Sequence, residues 1–328
     1  MTTFTPINQF EEEERWLELR RTGIGGSDAG AIMGMNKYAS PLTVYMQKKG
    51  IDTFKGNNAT KWGHILEDPI RKMTEKELGI TIETVDGMFT SVENPFMNAN
   101  LDGICHAENQ VTIDGVTVQG IGGHEIKTSG NGEGFGDGEI PDSYWAQCQH
   151  YMAVMGYNWF ILTVFFLTSR TGKHYIVERN ENFIENLIDA EKSFWFKFVE
   201  QNEFPAPTGI EPEAAYLKNL KYAATVELDA ETENLVYQER ALAEKVKELE
   251  KQHEAVKNQI LIKLSEASNG ESSSKTIATV GNYKISLTEQ VRKSVDTTKL
   301  KADGLYEQYT KEATSKVLRI SGGKGKDE

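Results

Sequence analysis

The sequence predicts an α/β (α+β) chain in which a central mixed β-sheet is flanked by helices and followed by a long C-terminal helix with a small β element. Three observations carry that prediction. Up to Leu78 apolar residues recur at helical spacing, whereas from Ile80 they gather in short β-branched runs separated by turn residues. A nearly continuous apolar run from Trp159, WFILTVFFL, suits a strand covered on both faces. Leu235, Leu242, Leu249 and Val256 are spaced by seven within a charged segment, the seam of a long helix. At 328 residues the chain can bury one large domain and still supply an appendage. We place the boundary at 212/213, giving a core over 1–212 and an appendage over 213–328, with a disordered tail from about 321.

Residues 10–21 read as a first helix after Asn8, with Phe10, Trp16 and Leu19 on one side. In the next stretch, TGIGGSDAG, three glycines make a turn and Ser27 or Asp28 can cap a short helix through Ala29 to Met33. Pro41 opens another helix that ends at Gly50. A longer one runs from about Thr60 to Leu78, with Pro69 as a place where it could break. The segments from Ile80 to Ser129 read as an antiparallel meander, with Asp86-Gly87 and Asp114-Gly115 as tight turns. After the Gly-rich stretch 130–138 come a buried helix (PDSYWAQCQHYMAVMG), the apolar strand, a further strand (KHYIVERN) and an aromatic-rich helix from Phe183 to Phe198. Beyond the PAPTG segment lie the long helix from Asp229 to Leu264, a hairpin, a short helix and a last strand, SKVLRIS. The seam of the long helix fits either packing within the chain or docking of a partner or neighbouring subunit.

Composition narrows the function. No apolar run is long enough for a membrane span, and the N-terminus is polar and then acidic, unlike a secretory signal. Cys105 and Cys148 are too few for a disulfide framework, which agrees with a reducing cytoplasm. A net charge of −13 argues against generalised nucleic-acid binding, so any DNA site must be local. Basic residues do cluster early, at Arg20, Arg21, Lys37, Lys48, Lys49, Lys55 and Lys61, although such runs are more often solvated faces than grooves.

The chemistry centres on Asp102 in NANLDGI and on Glu125 with Lys127 in GHEIKTS. The period-two geometry of a strand puts Glu125 and Lys127 on one face and Ile126 on the other. If the preceding hairpin brings Asp102 beside them, two carboxylates can hold a hard divalent cation, and Lys127 can serve an attacking water. A Glu-x-Lys pair alone is more often a surface ion pair; the aspartate one hairpin earlier and the Gln-rich helix afterwards make the set more specific.

Over residues 15–200 the ordered motifs RTGIGGSDAG, GHILEDPI, NANLDGI, HEIKTS and YWAQCQHYM resemble the YqaJ-like phage recombinases and lambda-type alkaline exonucleases of the PD-(D/E)xK nuclease superfamily. The resemblance implies a restriction-endonuclease-like core and a metal-dependent exonuclease acting 5′ to 3′ on linear duplex DNA, leaving 3′ single-stranded tails for recombination by annealing. Asp102, Glu125 and the Ile126 carbonyl would bind Mg2+, with Mn2+ able to substitute; Lys127 would serve the water and Glu67 would stand beside the metal. Arg21, Ser27 and Gln147 would hold the 5′-phosphate. The resemblance also implies a ring-shaped trimer, a single-strand annealing protein as partner, and a phage- or prophage-encoded protein in a bacterial cytoplasm. Leu101 stands where the superfamily name implies a proline.

Physical chemistry independently suits the first motif to an anion, because a Gly-rich turn entering a helix exposes backbone N–H groups. Arg21 adds a charged fork and Ser27 a hydroxyl; a plain N-cap is the competing role for Ser27, and a buried, satisfied amide the one for Gln147. A nucleotide loop is disfavoured because no strand precedes GIGGSDAG and no Lys-Ser or Lys-Thr follows it. His64 with Glu67, and His124 beside Glu125, lack the second histidine or cysteine pair a zinc site wants. The contrasting function is a DNA-binding accessory protein that keeps the fold without cutting.

Overall fold

The computed structural model describes all residues except 8–11, 52–57, 137, 218–219, 292–293, 312–317 and 319–328. In chain order the first unit holds β1 (Thr2–Pro6), α1 (Glu13–Arg21), β2 (Ile24–Gly25), α2 (Gly26–Ile32), α3 (Pro41–Lys48), α4 (Asn58–Leu78), β3 (Thr81–Glu83), β4 (Gly87–Ser91), β5 (Met97–Ala99), β6 (Gly103–Ile113) and β7 (Val116–Ser129). It continues with α5 (Asp142–Met155), β8 (Trp159–Phe166), β9 (Thr171–Glu178), α6 (Glu181–Phe194), a π-helical turn (Trp195–Glu200) and α7 (Glu211–Leu217). The second unit holds α8 (Ala230–Ala267), β10 (Lys275–Val280), β11 (Tyr283–Thr288), α9 (Thr297–Ala302) and α10 (Tyr306–Tyr309). The division falls between Met1–Lys221 and Tyr222–Glu328.

The main sheet has the order β3-β6-β7-β8-β9 and is mixed: β7 and β8 run parallel, the other pairs antiparallel. Helices packed against it make the α/β architecture that the sequence predicts. The β6–β7 hairpin turns at Asp114 and Gly115, both at positive φ (49° and 84°), the backbone that Asp-Gly tolerates best. Asp86-Gly87 makes no such turn. Gly87 instead begins β4, which leaves for a second sheet of order β1-β4-β5-β2, so the expected single meander is split between two sheets. The strand β1 was not expected; its residues Thr2–Pro6 pair with the distant β4.

The core explains where the helices sit. Phe160, Leu162 and Val164 of β8 and Cys148, Tyr151 and Met152 of α5 are buried in one cluster with Ile24, Leu42 and Met46 from the N-terminal segments. Burying each large apolar side chain contributes roughly 1.5–3 kcal/mol, so this cluster pins α2 and α3 to the sheet. Close approach of α2 to α5 needs two glycines one helical turn apart. A Cβ on Gly26 would lie 2.4 Å from the Tyr151 ring, and one on Gly30 would lie 2.9 Å from the Ser143 backbone.

Helix α4 passes Pro69 without a break, since packing of Ile70 and Thr74 against the sheet outweighs the lost backbone bond. Helix α1 starts at Glu13, and Asn8, its expected cap, lies outside the described residues, as do Phe10, Lys55, most of the final strand and the tail from 321. The first unit extends past residue 212 because the buried carboxylate of Glu213 accepts hydrogen bonds from Ser40 Oγ (2.5 Å) and from the Thr208 and Gly209 backbone. In the second unit α8 is capped by Asp229, whose Oδ1 accepts from the Thr232 N–H at 2.9 Å. Along α8 the heptad residues Leu235, Leu242, Leu249 and Val256 are exposed.

Candidate active site

Strand register assembles the three residues singled out by their spacing. Gly103 pairs with His124, which sets the preceding Asp102 across from Glu125 at the end of the hairpin. Asp102 Oδ2 accepts the Ile126 N–H at 2.7 Å, so the aspartate is fixed by the strand that carries its partners. Glu125 and Lys127 share a face of β7, and Lys127 Nζ donates to Glu125 Oε1 at 2.5 Å. The same oxygen accepts from Gln147 Nε2 at 2.6 Å, from helix α5. Glu125 is 3% exposed, and its other oxygen, Oε2, is buried without a hydrogen-bond partner. Lys127 is also held over the Tyr144 ring, 5.1 Å from its centroid.

Electrostatics shows what the cluster lacks. Burial, then the neighbouring Glu125 and Glu67 charges, push the Asp102 carboxyl well above the usual range, against the opposing pull of Lys127. Burial likewise raises Glu125, with Glu67 adding to it and Lys127 working the other way. Burial disfavours the Lys127 ammonium, but Glu125 and Asp102 outweigh it and the pKa rises. Asp102 and Glu125 thus share one lysine, with the partly exposed Glu67 adding negative charge from nearby, a surplus that a cation would relieve. Glu67 stands on α4 at the edge of this group, 2.9 Å from His64 Nδ1, and its hydrogen bond raises the histidine pKa.

Among the described residues no three His, Cys, Asp or Glu side chains gather closely enough to cage a metal by themselves. The available donors are the Asp102 and Glu125 carboxylates, with the unpartnered Glu125 Oε2 as the clearest vacancy in hydrogen bonding. That set fits a hard divalent cation that takes oxygen ligands and keeps part of its water shell.

Beside the carboxylates lies the Gly-rich turn. Arg20, not Arg21, reaches Ser27: its guanidinium donates to Ser27 Oγ at 3.1 Å. Arg21 lies against Gly50 at the end of α3. Gln147 is buried and spends its amide on Glu125 and on Tyr151 Oη (3.1 Å), so the structure ties it to the carboxylate cluster. Tyr151 in turn packs on Gly26, which joins the turn to the cluster through one ring. Among the described early basic residues, three are engaged separately. Lys48 is buried against Asp28, Lys49 bonds the Val199 carbonyl at 2.6 Å, and Lys37 pairs with Glu133. Sequence reasoning missed Arg20 as the Ser27 partner, although its seven-residue lead over Ser27 was visible.

Residues 15–158 match the family described as the YqaJ-like viral recombinase domain. The uncharacterized protein YqaJ of Bacillus subtilis is 29% identical over 319 residues, 93% of each chain. Among solved structures, an alkaline exonuclease from Laribacter hongkongensis aligns with a TM-score of 0.42 and 18% identity over 62% of this chain and 99% of its own. A phage-related exonuclease from Haemophilus somnus aligns with a TM-score of 0.38 and 13% identity over 57% of this chain and 100% of its own. The resemblance to the YqaJ-like viral recombinases that the ordered motifs carry therefore holds, across the stretch that contains Arg20, Ser27, Glu67, Asp102, Glu125, Lys127 and Gln147.

Proposed function

We propose that the chain is a Mg2+-dependent exodeoxyribonuclease, with Mn2+ able to substitute, that trims linear duplex DNA from phosphorylated 5′ ends and leaves 3′ single-stranded tails. One observation carries this reading: Glu125, across the hairpin from Asp102, is gripped on one oxygen by Lys127 and Gln147 while its other oxygen is buried and unpartnered. The names of the similar proteins, a viral recombinase domain and two exonucleases, agree with it.

Asp102 and Glu125, with the Ile126 carbonyl, would hold the metal, which when bound activates water and offsets charge at phosphorus. Gln147 and Lys127 fix the Glu125 carboxylate through Oε1, which would leave Oε2 to a cation. Lys127 stays protonated between two carboxylates and acts as a donor that orients the attacking water. Glu67, with His64, completes the acidic wall from α4. Arg20 and Ser27 offer a charged fork and a hydroxyl to the terminal phosphate, with Arg21 outside the pair. Strand-annealing recombination supplies the setting, with a single-strand annealing protein as partner and a trimeric ring as the assembly. The site of action is the bacterial cytoplasm; no helix among the described residues is long and apolar enough to cross a membrane.

The test is a time course on end-labelled, 5′-phosphorylated linear duplex with and without Mg2+. The parent shortens the duplex only with metal. Glu125→Ala or Lys127→Ala lowers the rate by about a hundredfold or more while leaving DNA binding, since each removes a group that serves the transition state. Binding without shortening by the parent would overturn the reading in favour of a non-cutting accessory protein.

A further inference from the structure

Between α1, α2 and α3 lies an ion pair that solvent hardly reaches. Lys48 Nζ is 2.6 Å from Asp28 Oδ2, and the two side chains are 4% and 5% exposed. Dehydrating two charges is costly, and apolar replacements of such pairs often leave stability unchanged, so stability alone does not account for one. What sets this pair apart is its remaining bonds. Asp28 Oδ2 also accepts the Gly25 N–H at 2.9 Å, and Lys48 Nζ also donates to the Arg20 carbonyl at 3.0 Å. Both bonds reach the backbone of the stretch from Arg20 to Ser27, one at its start and one near its end. The two ends of that stretch meet again on the outside, where the exposed Arg20 guanidinium donates to the exposed Ser27 hydroxyl. Arg20 also reaches Asp28 electrostatically, helping Lys48 to hold the carboxyl below its usual range against the effect of burial.

We propose that Asp28 and Lys48 are positioning residues: from inside the protein they fix the spacing of Arg20 and Ser27, and thereby set the preference for a phosphorylated 5′ end without touching DNA. The proposal rests on the reading of Arg20 and Ser27 as the phosphate clamp. A purely structural pair would change the melting temperature and leave end preference alone. A positioning pair changes the preference itself, because a charge-assisted contact depends on the placement of both donors.

The test measures binding of labelled duplexes with 5′-phosphate or 5′-hydroxyl ends in EDTA, and cleavage of both in Mg2+, for the parent, Lys48→Met, Lys48→Arg and the double variant Asp28→Asn with Lys48→Met. The parent is expected to bind phosphorylated ends more tightly. Lys48→Met lowers the phosphate-to-hydroxyl affinity ratio about tenfold, toward one, with hydroxyl-end binding unchanged. Lys48→Arg restores part of the ratio. The double variant leaves no unpaired buried charge, so it keeps the fold should Lys48→Met lose it, and it shows the same loss of preference. A folded Lys48→Met or double variant with the parent's ratio overturns the proposal; so does a parent indifferent to the phosphate, or unfolding of both variants, which would make the pair's role stability. A parent that prefers phosphorylated ends without cutting overturns the nuclease reading and leaves this proposal standing. Normal cutting by the parent, together with an unmoved ratio in the variants, does the reverse.

Discussion

Consecutive side chains on a helix diverge by about 100°, so two adjacent arginines at the end of α1 cannot serve the same ligand equally. Arg20 turns to Ser27 and Arg21 to Gly50. We therefore expect Arg20→Ala to lower the preference for 5′-phosphorylated ends about tenfold or more, the worth of a hydrogen bond to a charged group, and Arg21→Ala to leave it near the parent's value. End-labelled duplexes with and without the phosphate measure both, and equal losses would refute the distinction. The same residues show what the sequence reveals. Glu125 and Lys127 were legible because strand alternation alone puts them on one face, and Asp102 because one hairpin separates it from them. The bond from Gln147 to Glu125 and the choice of Arg20 over Arg21 were not, since both depend on how helices are rotated in tertiary packing.

At the scale of elements, β7 carries different chemistry on its two faces. Opposite the carboxylates, His124 Nε2 meets Thr163 Oγ1 (2.9 Å), which meets His174 Nδ1 (3.0 Å), whose Nε2 meets Glu77 of α4 (2.8 Å). This chain fastens α4, the helix that carries Glu67, to three strands. Burial, with the His174 and Arg71 charges adding to it, pushes the His124 pKa down to about 3. Unfolded, the ring would take a proton near its ordinary value of about 6.5, so the native state binds fewer protons between those two values and acid destabilises it. The contribution is intact above about 6.5 and is lost progressively as pH falls toward about 3. A melting series over that range should show His124→Gln falling less steeply than the parent; identical slopes would show that His124 does not drive the acid response. Helices α3 and α4 and strand β8 were readable from period and caps. Strand β1 was not, because an edge strand paired with the remote β4 leaves no local signal, and Pro69 misleads because α4 is held by packing.

The whole molecule divides near Lys221. Glu213 lies 2% exposed and accepts from Ser40, which caps α3, and from Thr208 and Gly209. These bonds outweigh burial and hold its carboxyl below the usual range. A chain ending at 212 loses this carboxylate, whereas one ending at 221 keeps it. Leaving the buried Ser40 hydroxyl without its acceptor costs about 1–3 kcal/mol. Thermal melts should therefore place 1–221 several degrees above 1–212, and equal melting temperatures would show that α7 does not secure the first unit. Mass measurements on 1–221 against the full chain also ask whether the exposed seam of α8 serves an assembly. The long helix itself was legible from its heptads, but its exposure was not, because a leucine repeat records periodicity and not its occupant.

Because β7 lies parallel to β8, its partner strand becomes available only after the intervening 130–158 stretch, including α5, has been translated. At ~5–20 residues per second, a nascent polypeptide carries Glu125 and Lys127 for seconds before Phe160 to Phe166 can dock beside them. Gln147, which grips Glu125, arrives in that same interval. On the ribosome, then, the carboxylate cluster is completed late, when most of the first unit has already emerged.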